Sequence, residues 1–132
     1  MSALPRDLVV HRLQRARESL VDARILADAE RRNPCVNRLY YACFYAVSAL
    51  LAKEGLSSSK HSGVRSLFNQ HFVKTNVIRA ETARIFNDLF ERRQEGDYVD
   101  FVCFEEQQVR AWMPLAEAFV DRIASLIGIS PE

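Results

Sequence analysis

Apolar positions recur at helical intervals along almost the whole chain. Between Asp7 and Glu30, the residues Val9, Leu13, Ala16, Leu20, Ala23 and Ala27 alternate spacings of four and three. That spacing aligns one apolar stripe on a helix. Asp7, just after Pro5, is expected to cap it. Arg12, Arg15, Arg17 and Arg24 fall on its other faces. Arg31-Arg32-Asn33-Pro34 closes this helix and opens a second. Asn33 is expected to cap the second helix, with Pro34 in the first helical position, where the missing N–H costs nothing. Val36, Tyr40, Cys43, Val47 and Leu50 form one stripe, and Asn37, Tyr41 and Phe44 a second beside it. So wide an apolar surface predicts a central, buried helix running to Glu54, stopped by Gly55.

Leu56 to Lys60 reads as a loop. A short third helix is expected from His61 to Val73, with Val64, Leu67, Phe68 and Phe72 inward. A fourth runs from Val77 to Gln94, with Ile78, Ile85, Phe86, Leu89 and Phe90 inward and Gly96 as its stop. Asp97 to Asp100 form a short connection. The fifth, from Val102 to Ile127, carries Val109, Trp112, Ala116, Phe119, Ile123 and Leu126, with a possible kink at Pro114. The pattern predicts an all-α protein: an antiparallel four-helix bundle with one extra short helix, in a single domain over 1–132.

Composition narrows the function. The chain has 18 basic and 17 acidic residues, a net charge of +1. Nothing global draws it to nucleic acid, so any basic site must be a local cluster. No apolar run approaches the length of a membrane span, and Met1 to Asp7 has no signal-peptide core. Cys35, Cys43 and Cys103 form no CxxC. They are expected to be reduced thiols of a cytoplasmic protein, serving as small core residues. No His/Cys/Asp/Glu set has metal-ligand spacing and no Gly-rich phosphate loop exists, so no metal or cofactor is expected.

Asn37-Arg38-Leu39-Tyr40-Tyr41-Ala42-Cys43-Phe44 is similar to the N-R-x-Y-Y-A-x-F/Y segment of one branch of the HEPN family. Lys60-His61-Ser62-Gly63-Val64 through Phe72-Val73-Lys74 resembles that branch's K-H-S-G-V…F-V-K signature. Arg93-Gln94-Glu95-Gly96-Asp97-Tyr98 resembles its R-x-x-G-D-Y, and Ala116 to Val120 also fits. The set follows in order over nearly the whole chain. The resemblance implies a helical bundle, a homodimer, and a minimal nucleotidyltransferase partner, often in a toxin–antitoxin pair. It also implies, for many members, a metal-independent endoribonuclease whose motif is Arg, four to six residues, then His, often with a nearby Tyr. In some pairs the partner adenylates that Tyr.

Here Arg92 and Asp97 occupy the motif's frame, and the His is absent. A His can take or give a proton at neutral pH. An Asp, with an ordinary pKa near 3.9, is an anion there and repels phosphate. Arg92, Asp97 and Tyr98 are therefore candidate catalytic residues of a degenerate motif. Arg93, Asn37, Tyr41, His61 and Lys60 are candidate ligand-binding residues for RNA or nucleotide. Asn37 and Tyr41 share a face from which they could reach the Arg92–Tyr98 region. Lys60, His61 and Arg65 form a basic spot at a helix start. Arg65 and His71 also satisfy the motif literally, but about 120° apart on a helix they would not converge. Three readings stay open: a HEPN component paired with a nucleotidyltransferase and modified on Tyr98, an active endoribonuclease, and a non-catalytic dimeric binding module.

Overall fold

The computed structural model describes residues 5–98 and 103–128, with backbone only for 5 and 94–98. Among the described residues all the regular elements are helical: α1 (Pro5–Asp28), α2 (Arg32–Lys53), α3 (His61–Phe68) continuing into a π-helical turn (Asn69–Val73), α4 (Ala80–Tyr98) and α5 (Glu106–Ile127). The α2 helix is the hub, packing against α1 along its length and also against α3, α4 and α5. By length and composition it could cross a bilayer, but it is the core helix, with 67% of its most apolar window buried. Tyr40, Leu39, Val36 and Val47 are among its fully buried side chains.

Tight turns enforce the antiparallel α1–α2 pairing. At the end of α1, Arg31 N–H donates to Leu26 O (2.8 Å) and Glu30 N–H to Ala27 O (3.0 Å). This is the Schellman pattern. Glu30 occupies its left-handed position, at φ 59°. The same bonds close α2, from Leu56 N–H to Leu51 O (2.8 Å) and Gly55 N–H to Ala52 O (3.1 Å), with Gly55 at φ 74°. Gly55 thus stops its helix as expected, whereas Glu30 holds the same conformation against its own Cβ. Replacing Glu30 with glycine relieves that strain at the cost of more unfolded-chain entropy. We expect Glu30→Gly to raise the unfolding free energy by about 0.5–1 kcal/mol, read from urea unfolding.

Several boundaries differ from the pattern-based expectation. Asp7 lies inside the first turn of α1, where it still faces the positive end of the helix dipole. Asn33 sits within α2 and does not cap it. Its Oδ1 accepts from Phe104 N–H (3.3 Å), tying the chain before α5 to the start of α2. Ile78 precedes α4 but is buried, its N–H donating to Phe72 O (2.8 Å). The α4 helix does not stop at Gly96; its backbone stays helical through Tyr98. Glycine permits a left-handed stop without requiring one. The α5 helix begins later than expected, where Glu105 N–H donates to the Gln108 side chain (2.9 Å).

The core is an aromatic stack. Phe119 of α5 lies parallel to Phe86 of α4 (5.9 Å between centroids), and Phe68 meets both edge-on. Tyr40 of α2 stacks on the other side of Phe86 at 6.1 Å. Trp112 and Leu126 are only partly buried, while Met113, Val120 and Ile127 are buried in their stead. Phe104, in the extended residues before α5, packs edge-on to Trp112 and holds it at the rim. Cys35 and Cys43 are buried in the core, but Cys103 is exposed, contrary to expectation. Burial pushes the Cys35 thiol up to about 11 and the Cys43 thiol further. Arg17 pairs with Asp121 (2.5 Å) and Arg24 with Glu117 (2.6 Å), clasping α1 to α5 at exposed positions. Such surface pairs add little stability each.

Candidate functional site: an arginine and a histidine on an aromatic floor

The site is built where α2, the start of α3 and the last turns of α4 meet. Tyr40 and Tyr41 are consecutive on α2, so one ring turns into the core and the other stays half-buried at its edge. Arg93, from α4, is buried with its guanidinium over the Tyr40 ring at 4.7 Å and the Tyr41 ring at 5.9 Å. Arg38 also lies over Tyr41, at 4.9 Å, held by hydrogen bonds to Asn37 Oδ1 at 2.8 and 3.3 Å. Arg65, one helical turn beyond His61 on α3, covers the Phe90 ring at 4.2 Å and approaches Glu91 at 3.8 Å. Three guanidiniums are thus held by cation–π contacts, each worth about 0.5–2 kcal/mol.

His61 completes the cluster. Its Nδ1 is 2.8 Å from the Tyr40 hydroxyl, and its ring stacks on Phe44 at 4.1 Å. Tyr41 meets it edge-on at 5.8 Å. Burial first, and the Arg93 charge second, hold the His61 imidazole below its ordinary 6.5. Burial keeps the Tyr40 phenol protonated, pushed well above its usual range. A neutral imidazole beside a fixed guanidinium can accept a proton while the guanidinium holds an anion.

The depressed histidine has a consequence for stability. Below 6.5 the unfolded chain therefore binds a proton at His61 more readily than the folded chain. The stability linked to this group is therefore complete above 6.5 and lost as pH falls through the lower folded value. The urea midpoint should drop between about pH 8 and about pH 5, and His61→Gln should flatten that decline. An unchanged slope in the variant would exclude His61 as its source.

The candidate residues divide clearly. Arg93, Tyr41, Asn37 and His61 come together at this site. Tyr41 does reach the α4 end, through its ring face on Arg93. Lys60 is exposed at the N-cap position of α3, its N–H donating to Ser58 Oγ (3.2 Å). Arg92 is exposed on α4. Asp97 and Tyr98 lie on the helical last turn, which replaces the expected turn after Gly96, and their side chains lie outside the described residues. Around a continuous helix, positions 92 and 97 are about 140° apart and positions 93 and 97 about 40°. Position 97 therefore lies nearer the side of α4 that carries Arg93, although the three residues between them are one fewer than the motif's shortest spacing. The Arg65/His71 match comes apart as expected: Arg65 turns onto Phe90, and His71 is exposed in the π-helical turn. Sequence reasoning missed Arg38 and Tyr40 as parts of the site, and grouped Arg65 with His61 without linking either to Arg93. The available signal was Arg38 beside Tyr41 on a helix whose next turn carries Phe44.

The chain is thus a small all-helical domain built around α2. The profile of the HEPN domain matches residues 9–126, and the chain belongs to that family. It is 52% identical over 114 residues to a Thermotoga maritima protein named "UPF0332 protein", covering 86% of each chain. Two Methanocaldococcus jannaschii proteins are also similar. "Putative toxin MJ0605" is 35% identical over 82% of this chain and 80% of its own length. "Putative toxin MJ0142" is 29% identical over 83% of this chain and 75% of its own.

Proposed function

We propose that this chain is the HEPN component of a two-protein, toxin–antitoxin-like system, and that its Arg93–His61–Tyr41 site holds the phosphate and base of RNA or a nucleotide. The observation that carries the reading is the buried Arg93 guanidinium fixed over Tyr40 and Tyr41, with His61 and Arg38 beside it. A planar guanidinium pre-ordered on aromatic faces suits phosphate, and a half-buried tyrosine ring suits a base. The names of the two M. jannaschii relatives support the toxin-like assignment. From the family resemblance we carry over a homodimer, a minimal nucleotidyltransferase partner and Tyr98 as the residue that partner modifies, and from the cysteine usage a cytoplasmic location. Co-expression with such an enzyme, followed by co-purification and intact-mass analysis, tests the pairing. The expected result is a complex and an added nucleotide mass that Tyr98→Phe removes. Separate elution with unchanged mass would sink the pairing.

One observation favours a second reading, an active endoribonuclease. The histidine absent from the α4 motif is supplied at the Arg93 site by α3, as His61. With Nδ1–H donated to the Tyr40 oxygen, Nε2 keeps its lone pair. It can take the proton of a ribose 2′-hydroxyl while that oxygen attacks phosphorus. The P–O5′ bond then breaks, the leaving oxygen takes a proton from water, and Arg93 balances the phosphoryl charge. On this reading His61→Asn abolishes cleavage and Asp97→Asn does not. Intact RNA after incubation from mildly acidic to neutral pH would exclude it.

A further inference from the structure

A second cleft is lined in part by Phe44, the ring that also stacks on His61. It is bounded by the N-terminal half of α1, by α2 and by the Ser57-Ser58 loop, and encloses about 330 Å³. That is the lower end of the size range of small-ligand clefts. His11, Arg12 and Arg15 line it, and no described lining residue is acidic. This is a local exception in a chain of net charge +1. A cleft of similar size between α1 and α5 is different: its Arg24 is paired with Glu117, and its Arg110 with Glu106.

The arginines of the basic cleft are held in place yet keep donors to spare. Arg12 uses Nη1 on the Ser48 carbonyl at 3.1 Å. Arg15 uses Nη2 on the Tyr45 hydroxyl at 3.1 Å and lies over that ring at 4.9 Å. Its contact with Glu18 is long, 3.9 Å, between side chains 45% and 68% exposed. Each guanidinium has five N–H donors, so both can still bind an anion. Tyr45 repeats one turn later what Tyr41 does at the first site. Tyr41 carries Arg38 and Arg93, Tyr45 carries Arg15, and the two rings are 5.8 Å apart. Phe44 is shared: its ring stacks on His61 and also lines the cleft. The result is a strip of partly buried rings on α2, flanked by arginines from α1, α2 and α4.

We infer that this cleft is a second subsite, which takes the neighbouring nucleotides of a single-stranded RNA whose reacting or anchored phosphate sits at Arg93. The inference rests on the RNA reading above and extends it from one nucleotide to a strand. Alternating rings and fixed cations are what a single strand needs, since each base offers a face and each phosphate a charge. A mononucleotide would fill only the first site, and the unmatched arginines of the cleft suit the repeated phosphates of a strand.

The test uses the full chain and two fluorescent probes, an adenosine mononucleotide and an oligoribonucleotide of about eight residues. Binding is followed by anisotropy at several salt concentrations. The oligonucleotide should bind more tightly than the mononucleotide. Arg15→Glu should weaken the oligonucleotide about tenfold or more and leave the mononucleotide unchanged, and Arg15→Gln should lower the salt slope by about 0.7. Arg15 is exposed, and a thermal melt confirms that its variants are folded. Equal affinity for the two probes, or an oligonucleotide affinity indifferent to Arg15→Glu, would overturn the inference. If Arg93→Gln leaves both probes unaffected while Arg15→Glu weakens the strand, the first-site reading fails and the cleft stands.

Discussion

Truncating Phe119 to alanine should lower the unfolding free energy by about 3–5 kcal/mol, among the largest effects expected of a single core substitution. Phe119 is fully buried and is the contribution of α5 to the ring stack, touching Phe68 and Phe86. Its loss removes apolar transfer energy and leaves a cavity between α3, α4 and α5 that rigid rings cannot collapse into. For a domain of this size that is a large part of a total stability of about 5–15 kcal/mol. Leu115, on the same helix and 53% exposed, is the control, and Leu115→Ala should change stability by less than about 0.5 kcal/mol. Urea unfolding of the two variants compares them directly. Similar losses in both would mean that α5 is not packed through Phe119.

The second large effect concerns Arg93. Replacing it with glutamine should weaken oligoribonucleotide binding at least about tenfold, or about 1.4 kcal/mol. The same substitution should raise the His61 pKa toward 6.5, because Arg93 is one of the two causes holding it down. Arg92→Gln should do neither, since Arg92 is exposed and on a different side of α4. The histidine titration, followed by NMR, separates a site effect from general loss of structure. A merely destabilised variant would show unfolded protein rather than a shifted histidine. Binding lost only in the Arg92 variant would return the site to the motif frame read from sequence.

Much of the fold was legible from periodicity because burial follows it. The stripes Val9–Ala27 and Val36–Leu50 both face the core. The second, wider stripe of α2 correctly marked the hub helix. What misled were local signals that tertiary contacts override. Asn33 has the chemistry of a cap, but Phe104 recruits its side chain from far along the chain. Gly96 has the freedom of a stop, but the backbone continues helical. The true start of α5 had a readable sign, Glu105 and Gln108 at capping-box spacing, while Val102 and Phe104 mimicked a longer helix.

The site was half legible. Arg93, Tyr41, Asn37 and His61 were identifiable from motifs. Their convergence was not, because it depends on how the start of α3 packs against the end of α4. Reading the motif along one helix made the missing histidine look like a loss of chemistry. Across three helices, His61 sits where Arg93 influences its charge. Arg12 and Arg15 read as ordinary polar-face residues of α1. Only the packing of α1 on α2 turns them over Ser48 and Tyr45.

The most direct test of the central claim is an NMR titration of the labelled protein with a short oligoribonucleotide, watching the histidine rings, arginine side chains and backbone amides together. RNA bound along the α2 ring strip gives saturable shifts centred on His61, Tyr41 and the Arg93 guanidinium, extending to Arg15 and Tyr45. Shifts confined to the α1–α5 face around Arg24 and Glu117, or no shifts at saturating RNA, would contradict it.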